Sequence, residues 1–105
     1  MNNNLLNVLR KHQSSYSYGW LDVVYLEWLG NRKPTYENFK QFYLELLRLK
    51  REGKIEFACA GGTIRRQLAK RRGLLALNRK MEEWMKRMVR EGEISQAFWM
   101  YRVEE

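Results

Sequence analysis

From Tyr36 to Arg51 the chain places apolar residues three and four apart: Phe39, Phe42, Tyr43, Leu46, Leu47 and Leu49. That interval is the pitch of an α-helix. These side chains therefore share one broad stripe, while Asn38, Gln41, Glu45 and Arg48 lie opposite. A stripe of this width has to be buried, which commits the fold to helices packed on a core. Thr35 stands where an N-cap is needed, Glu37 sits in the first turn where the helix dipole favours an acid, and Gly53 ends the run. The pattern recurs on both sides. Leu5, Leu6 and Leu9 form a stripe within Asn4–His12, and Leu21, Val24, Tyr25, Trp28 and Leu29 form one within Trp20–Leu29, stopped by Gly30. Leu77, Met81, Trp84, Met85, Met88 and Val89 form one within Leu77–Arg90, stopped by Gly92.

Strand signals are few. Ile55, Phe57 and Cys59 alternate with Glu56, Ala58 and Ala60, the period of a half-buried strand. Ile94–Val103 is aromatic and rich in β-formers and reads as a strand or a short hairpin. Thr63–Arg72 is written in helix formers and closed by Gly73, although Gly61-Gly62 before it also suits a two-residue hairpin. The predicted class is mainly α with a small β component, in one compact domain over residues 1–105 with 1–60 and 61–105 as candidate sub-units. An internal echo supports two units sharing a core. Arg51-Glu52-Gly53-Lys54-Ile55 aligns with Arg90-Glu91-Gly92-Glu93-Ile94 at an offset of 39 residues. At the same offset Phe42, Leu46 and Leu49 align with Met81, Met85 and Met88. Each unit reads as a helix, a Glu-Gly stop and a strand.

Composition removes several chemistries. Cys59 and His12 are the single cysteine and histidine, so neither a disulfide within the chain nor a Cys/His zinc site can form. Cysteine–histidine catalysis would need those two to meet, and the alternation around Cys59 reads as a buried strand. There is no phosphate-binding glycine loop and no dinucleotide fingerprint. The expectation is a non-enzyme with no cofactor and no metal. No apolar run approaches the roughly 20 residues of a membrane span. The first residues carry no leader pattern, so a cytoplasmic location is expected.

Charge is the positive signal. The chain carries 20 Lys and Arg against 12 Asp and Glu, a net charge of +8. Residues 57–90 hold ten basic groups against Glu82 and Glu83 alone. The densest cluster is Arg65, Arg66, Lys70, Arg71 and Arg72, with no acid among them. Solvated helix faces mix signs. A block of one sign is the footprint of a polyanion site.

The order helix, turn, helix, then Leu47-x-x-Lys50-Arg51-Glu52-Gly53-Lys54-Ile55 resembles winged helix-turn-helix domains. In the second half, Gln67-Leu68-Ala69-Lys70-Arg71-Arg72-Gly73-Leu74 looks like the first helix and turn of that motif, with Ala69 and Gly73 at the small-residue positions. Arg79 and Glu82 fall where that pattern expects apolar residues, and Leu26 stands where the first half would carry a small one. With six tyrosines and four tryptophans in so short a chain, the general appearance is similar to small regulators of archaeal viruses and plasmids.

Two assignments follow from the resemblance. In one, Asn4–His12, Trp20–Leu29 and Tyr36–Arg51 are the three helices and Ile55–Leu68 is a wing. In the other, Thr63–Arg72 and Leu77–Arg90 are the helix-turn-helix and Ile94–Val103 is the remaining strand or wing. The resemblance implies double-stranded DNA as partner, a helix in the major groove, and a role in transcription regulation. Arg65, Arg66, Lys70, Arg71 and Arg72 would meet phosphates. Base edges would be read by Asn78, Arg79, Lys80 and Glu83 in the second assignment, or by Thr35, Asn38, Lys40 and Gln41 in the first. A homodimer is expected, because one small module reads little sequence. Five to seven phosphate contacts would give a log–log salt slope of roughly −5 to −6. The alternative is a protein-interaction module or inhibitor that sets the same basic surface against acidic side chains, without nucleic acid. RNA binding ranks lower, because Arg65–Arg72 contains no aromatic residue on which a base could stack.

Overall fold

The structure, a computed structural model, describes residues 4–13, 18–58 and 72–104. Its elements run α1 (Leu5–His12), β1 (Gly19–Trp20), α2 (Leu21–Leu29), α3 (Tyr36–Arg51), β2 (Ile55–Ala58), a 3-10 turn (Arg72–Leu74), α4 (Leu75–Arg90) and β3 (Met100–Val103). The protein is mainly helical with a small antiparallel sheet of strand order β1-β3-β2. The three helices of the first assignment are present, and α4 lies in the connection between β2 and β3.

Helices α1 and α3 begin at side-chain caps. Asn4 Oδ1 accepts from the Leu6 N–H at 3.0 Å to cap α1, and Thr35 Oγ1 accepts from the Asn38 N–H at 3.2 Å to cap α3. Helices α3 and α4 are both 16 residues long and end in the same way. Past α3, Gly53 (φ 76) lets its own N–H reach Lys50 O at 3.0 Å and the Lys54 N–H reach Leu49 O at 3.0 Å. Past α4, Gly92 (φ 77) lets its N–H reach Val89 O at 3.1 Å and the Glu93 N–H reach Met88 O at 2.9 Å. Glycine takes this left-handed conformation without the steric penalty of a Cβ. The echo is thus a repeated helix and a repeated C-cap.

Buried side chains from all four helices and the sheet form one cluster. Helix α4 docks through Trp84, whose ring meets Phe39 at 5.4 Å and the edge of Tyr25 at 6.4 Å between centroids. Tyr25 in turn packs on Trp28, Phe39 and Phe42. Helix α1 is tied to β3 by the Tyr101 hydroxyl, which donates to Leu9 O at 2.5 Å, and by the Val103 N–H, which donates to Gln13 Oε1 at 2.6 Å.

Several sequence expectations are corrected. Ile94–Val103 is neither one strand nor a hairpin; only Met100–Val103 is extended in the sheet. Its partners β1 and β2 are two and four residues long, so the ladder ends at Met100. Before it, the Phe98 N–H is satisfied by the Tyr43 hydroxyl at 2.9 Å instead of by a neighbouring strand. The second unit therefore does not repeat β2 directly after its glycine. Helix α2 begins at Leu21, because Gly19 and Trp20 pair with Tyr101 and Met100 as an unforeseen β1. Gly73 belongs to the 3-10 turn Arg72–Leu74, and the helix that follows begins two residues earlier than Leu77. Val89, assigned to the buried stripe, is 40% exposed. Strand β2 pairs with β3. The helix expected over Thr63–Arg71, the Gly-Gly turn and Cys59 lie outside the described residues.

Candidate nucleic-acid interface

Outside α4, five described cations are set against acids, while Lys33, Lys50 and Arg51 are exposed without an ion pair among the described residues. Lys11 pairs with Glu27 at 2.9 Å, Lys40 with Glu93 at 2.9 Å and Lys54 with Glu52 at 3.2 Å. Arg48 forks between Glu45 and Glu52, and Arg102 lies between Glu104 and Glu56. Arg32 spends its charge on the end of α2, lying 4.0 Å from the Trp28 ring centre and donating to Trp28 O and Leu29 O. A cation at a helix C-terminus is favoured by the dipole.

Helix α4 is different. Asn78, Met81, Met85 and Met88 face the core, and the opposite face is left to solvent. Seven residues are nearly two turns of helix. Arg79 and Lys86, and likewise Lys80 and Arg87, therefore stand in line, and Arg90 continues the row. All five are exposed; Glu83 stands among them, with Glu82 beside Lys86 and Glu91 beside Arg87. Among the described residues Arg79, Lys80 and Arg90 make no ion pair, and Lys86 has only a long contact of 3.7 Å with Glu82. At 1.5 Å of rise per residue the row runs for about 16 Å. Over that length each strand of duplex DNA presents about five phosphates. Helix α4 also has no acid in its first turn.

At the other end of the row the charge is held. Arg87 Nε donates to Glu91 Oε2 at 3.0 Å, and the guanidinium lies 3.9 Å from the Tyr36 ring centre. The Tyr36 hydroxyl donates to Glu91 Oε1. That hydrogen bond and the one from Arg87 hold the Glu91 carboxyl below the usual carboxylate range. Lys40 is held more strongly protonated than a free lysine by its hydrogen bond to Glu93.

Of the residues singled out from sequence, Arg79 and Lys80 stand exposed on α4, and Gln41 stands exposed on α3. Three others are placed against their expected roles. Asn78 is 3% exposed, in the core-facing row of α4, and so cannot reach a base edge. At the 39-residue offset it corresponds to Phe39, a core position, and that register was the available signal. Asn38 Nδ2 donates to Lys33 O at 2.8 Å, which fixes the turn before α3. Lys40 is committed to Glu93. Arg65, Arg66, Lys70, Arg71 and the Arg72 side chain lie outside the described residues. Lys86, Arg87 and Arg90 belong to the row but escape a search for clusters along the chain; helical spacing from Arg79 and Lys80 finds them.

Comparison with protein-family models, with curated proteins and with solved structures finds no match to this chain. An open groove of about 970 Å³ also runs between α1, α2 and α3, past Trp28, Gln41 and Arg48, but Arg32 and Arg48 on its walls are already engaged. No described helix is long and apolar enough to cross a membrane.

Proposed function

We propose that this protein binds double-stranded DNA through the outer face of α4 and the cationic stretch of sequence that leads into it, as a small transcription regulator. One observation carries the reading. Helix α4 aligns five exposed cations on one face, and three of them, Arg79, Lys80 and Arg90, make no ion pair among the described residues. Phosphate contacts of this kind supply affinity and register. On this reading the chain works where duplex DNA is, in the cytoplasm or nucleoid. Two copies would double a contact that alone reads little sequence.

The test is fluorescence anisotropy with a labelled random duplex across about 50 to 300 mM salt. The expected result is micromolar or tighter binding at low salt, with a log–log slope of roughly −5. Arg79→Glu/Lys80→Glu is expected to abolish it. A slope near zero, or a variant that binds as the parent does, overturns the reading. No binding at low salt gives the surface to an acidic protein partner instead.

A further inference from the structure

The proposed DNA face ends in a knot of opposite charge. Gly92 turns the chain after α4 so that Glu91 and Glu93 both reach the first turns of α3. Glu91 takes hydrogen bonds from Arg87 and from the Tyr36 hydroxyl, and Glu93 takes one from Lys40 at 2.9 Å. A guanidinium, a phenol and an ammonium thus converge on two carboxylates. These are the donor types that proteins set against phosphate oxygens.

The equivalent place after α3 shows what is particular here. Arg48 and Glu52 repeat Arg87 and Glu91 at the 39-residue offset, but Arg48 has a second carboxylate in Glu45, and Lys54 stands where the second unit has Glu93. Trp84 occupies the place corresponding to Glu45, so among the described residues Arg87 forms its ion pair with Glu91, and Glu37 acts on it only at longer range. The Arg87 and Glu91 side chains are 50% and 39% exposed, and those of Lys40 and Glu93 are 29% and 34% exposed. Exposed pairs of this kind hold weakly and can be displaced by a competing anion.

We propose that Tyr36, Lys40 and Arg87 form a phosphate-binding clasp that Glu91 and Glu93 keep occupied, so that these two carboxylates act as an internal phosphate mimic and restrain DNA binding by α4. The inference rests on the DNA reading above. When a phosphodiester takes the clasp, Glu91 and Glu93 swing to solvent and the contact row extends past Arg87 to α3.

The experiment compares Glu91→Gln/Glu93→Gln with Glu56→Gln/Glu104→Gln, an equal change of charge on the sheet, in the salt titration already described. The expected result is about tenfold tighter binding than the sheet variant, with a salt slope steeper by about 2, one for each freed cation. Adding Tyr36→Phe/Lys40→Met is expected to remove the gain. If Glu91→Gln/Glu93→Gln does not melt cooperatively, Glu93→Gln alone is read for a slope steeper by about 1. Equal affinity and slope in the two carboxylate variants, with the parent still binding through Arg79 and Lys80, overturns the clasp and leaves the DNA reading standing. Absence of binding by the parent and every variant overturns both.

Discussion

The Tyr101 ring lies so close over Gly19 that a Cβ on residue 19 would stand 2.5 Å from the ring carbon Cζ. Tyr101 cannot yield easily. It is fully buried, and its hydroxyl is fixed to Leu9 O. Gly19→Ala is therefore expected to lower stability by about 1–3 kcal/mol, the usual penalty of overpacking. Urea denaturation followed by tryptophan fluorescence reads it, and an unchanged midpoint would show that the ring can move aside.

Asn78 is the reverse case, a buried residue with too few partners. Among the described residues its Nδ2 and Oδ1 make no hydrogen bond, although the side chain is buried. Unsatisfied buried polar atoms are destabilising, and leucine matches asparagine in heavy-atom count and in branching at Cγ. Asn78→Leu is expected to raise stability by about 1–3 kcal/mol, seen as a melting temperature higher by about 4–8 °C per kcal/mol. A fall would mean that the amide is satisfied by a group outside the described residues. The Tyr25 hydroxyl is likewise buried without a partner among the described residues, and burial pushes its pKa up to about 12. Tyr25→Phe is thus expected to leave stability unchanged or higher.

These two residues also show where sequence reasoning stops. The stripes of α3 and α4 and their glycine caps are legible, because a 3.6-residue period and a positive-φ stop are local properties. Strand β1 is not, because two residues carry no period; Gly19 is a strand residue only because Tyr101 lies over it. Asn78 reads as surface by its chemistry and as core only by its register with Phe39. On the candidate interface, Arg79 and Lys80 are visible as charge. The commitment of Lys40 is not, because Glu93 lies far along the chain and is brought over by the turn at Gly92.

The cationic row makes a graded prediction. Neutralising Arg79, Lys80 or Arg90 singly with glutamine is expected to make the salt slope of DNA binding shallower by about 0.9 each. Arg48→Gln and Arg102→Gln, whose parent side chains already face two carboxylates each, are expected to leave the slope unchanged. Equal effects at all five sites would point to net charge in place of a defined face.

Acid is expected to weaken the fold through the carboxylates in these pairs. Hydrogen bonds from Lys11 and His12 lower the pKa of Glu27, those from Lys54 and Arg48 lower that of Glu52, and those from Tyr36 and Arg87 lower that of Glu91. A carboxyl whose folded pKa lies below its unfolded value binds fewer protons when folded. Its contribution is therefore complete above the unfolded value, near 4.3, and is lost as the pH falls through the folded one. Melting temperature is thus expected to drop between about pH 6 and pH 3. In Glu91→Gln one of these groups is gone. The variant should melt below the parent at neutral pH, and the gap should close as the parent's Glu91 takes up its proton. Circular dichroism melts of both proteins across that range provide the check. A gap that stays constant down to the lowest pH would mean that the Glu91 charge adds nothing to the hold of α4 on α3.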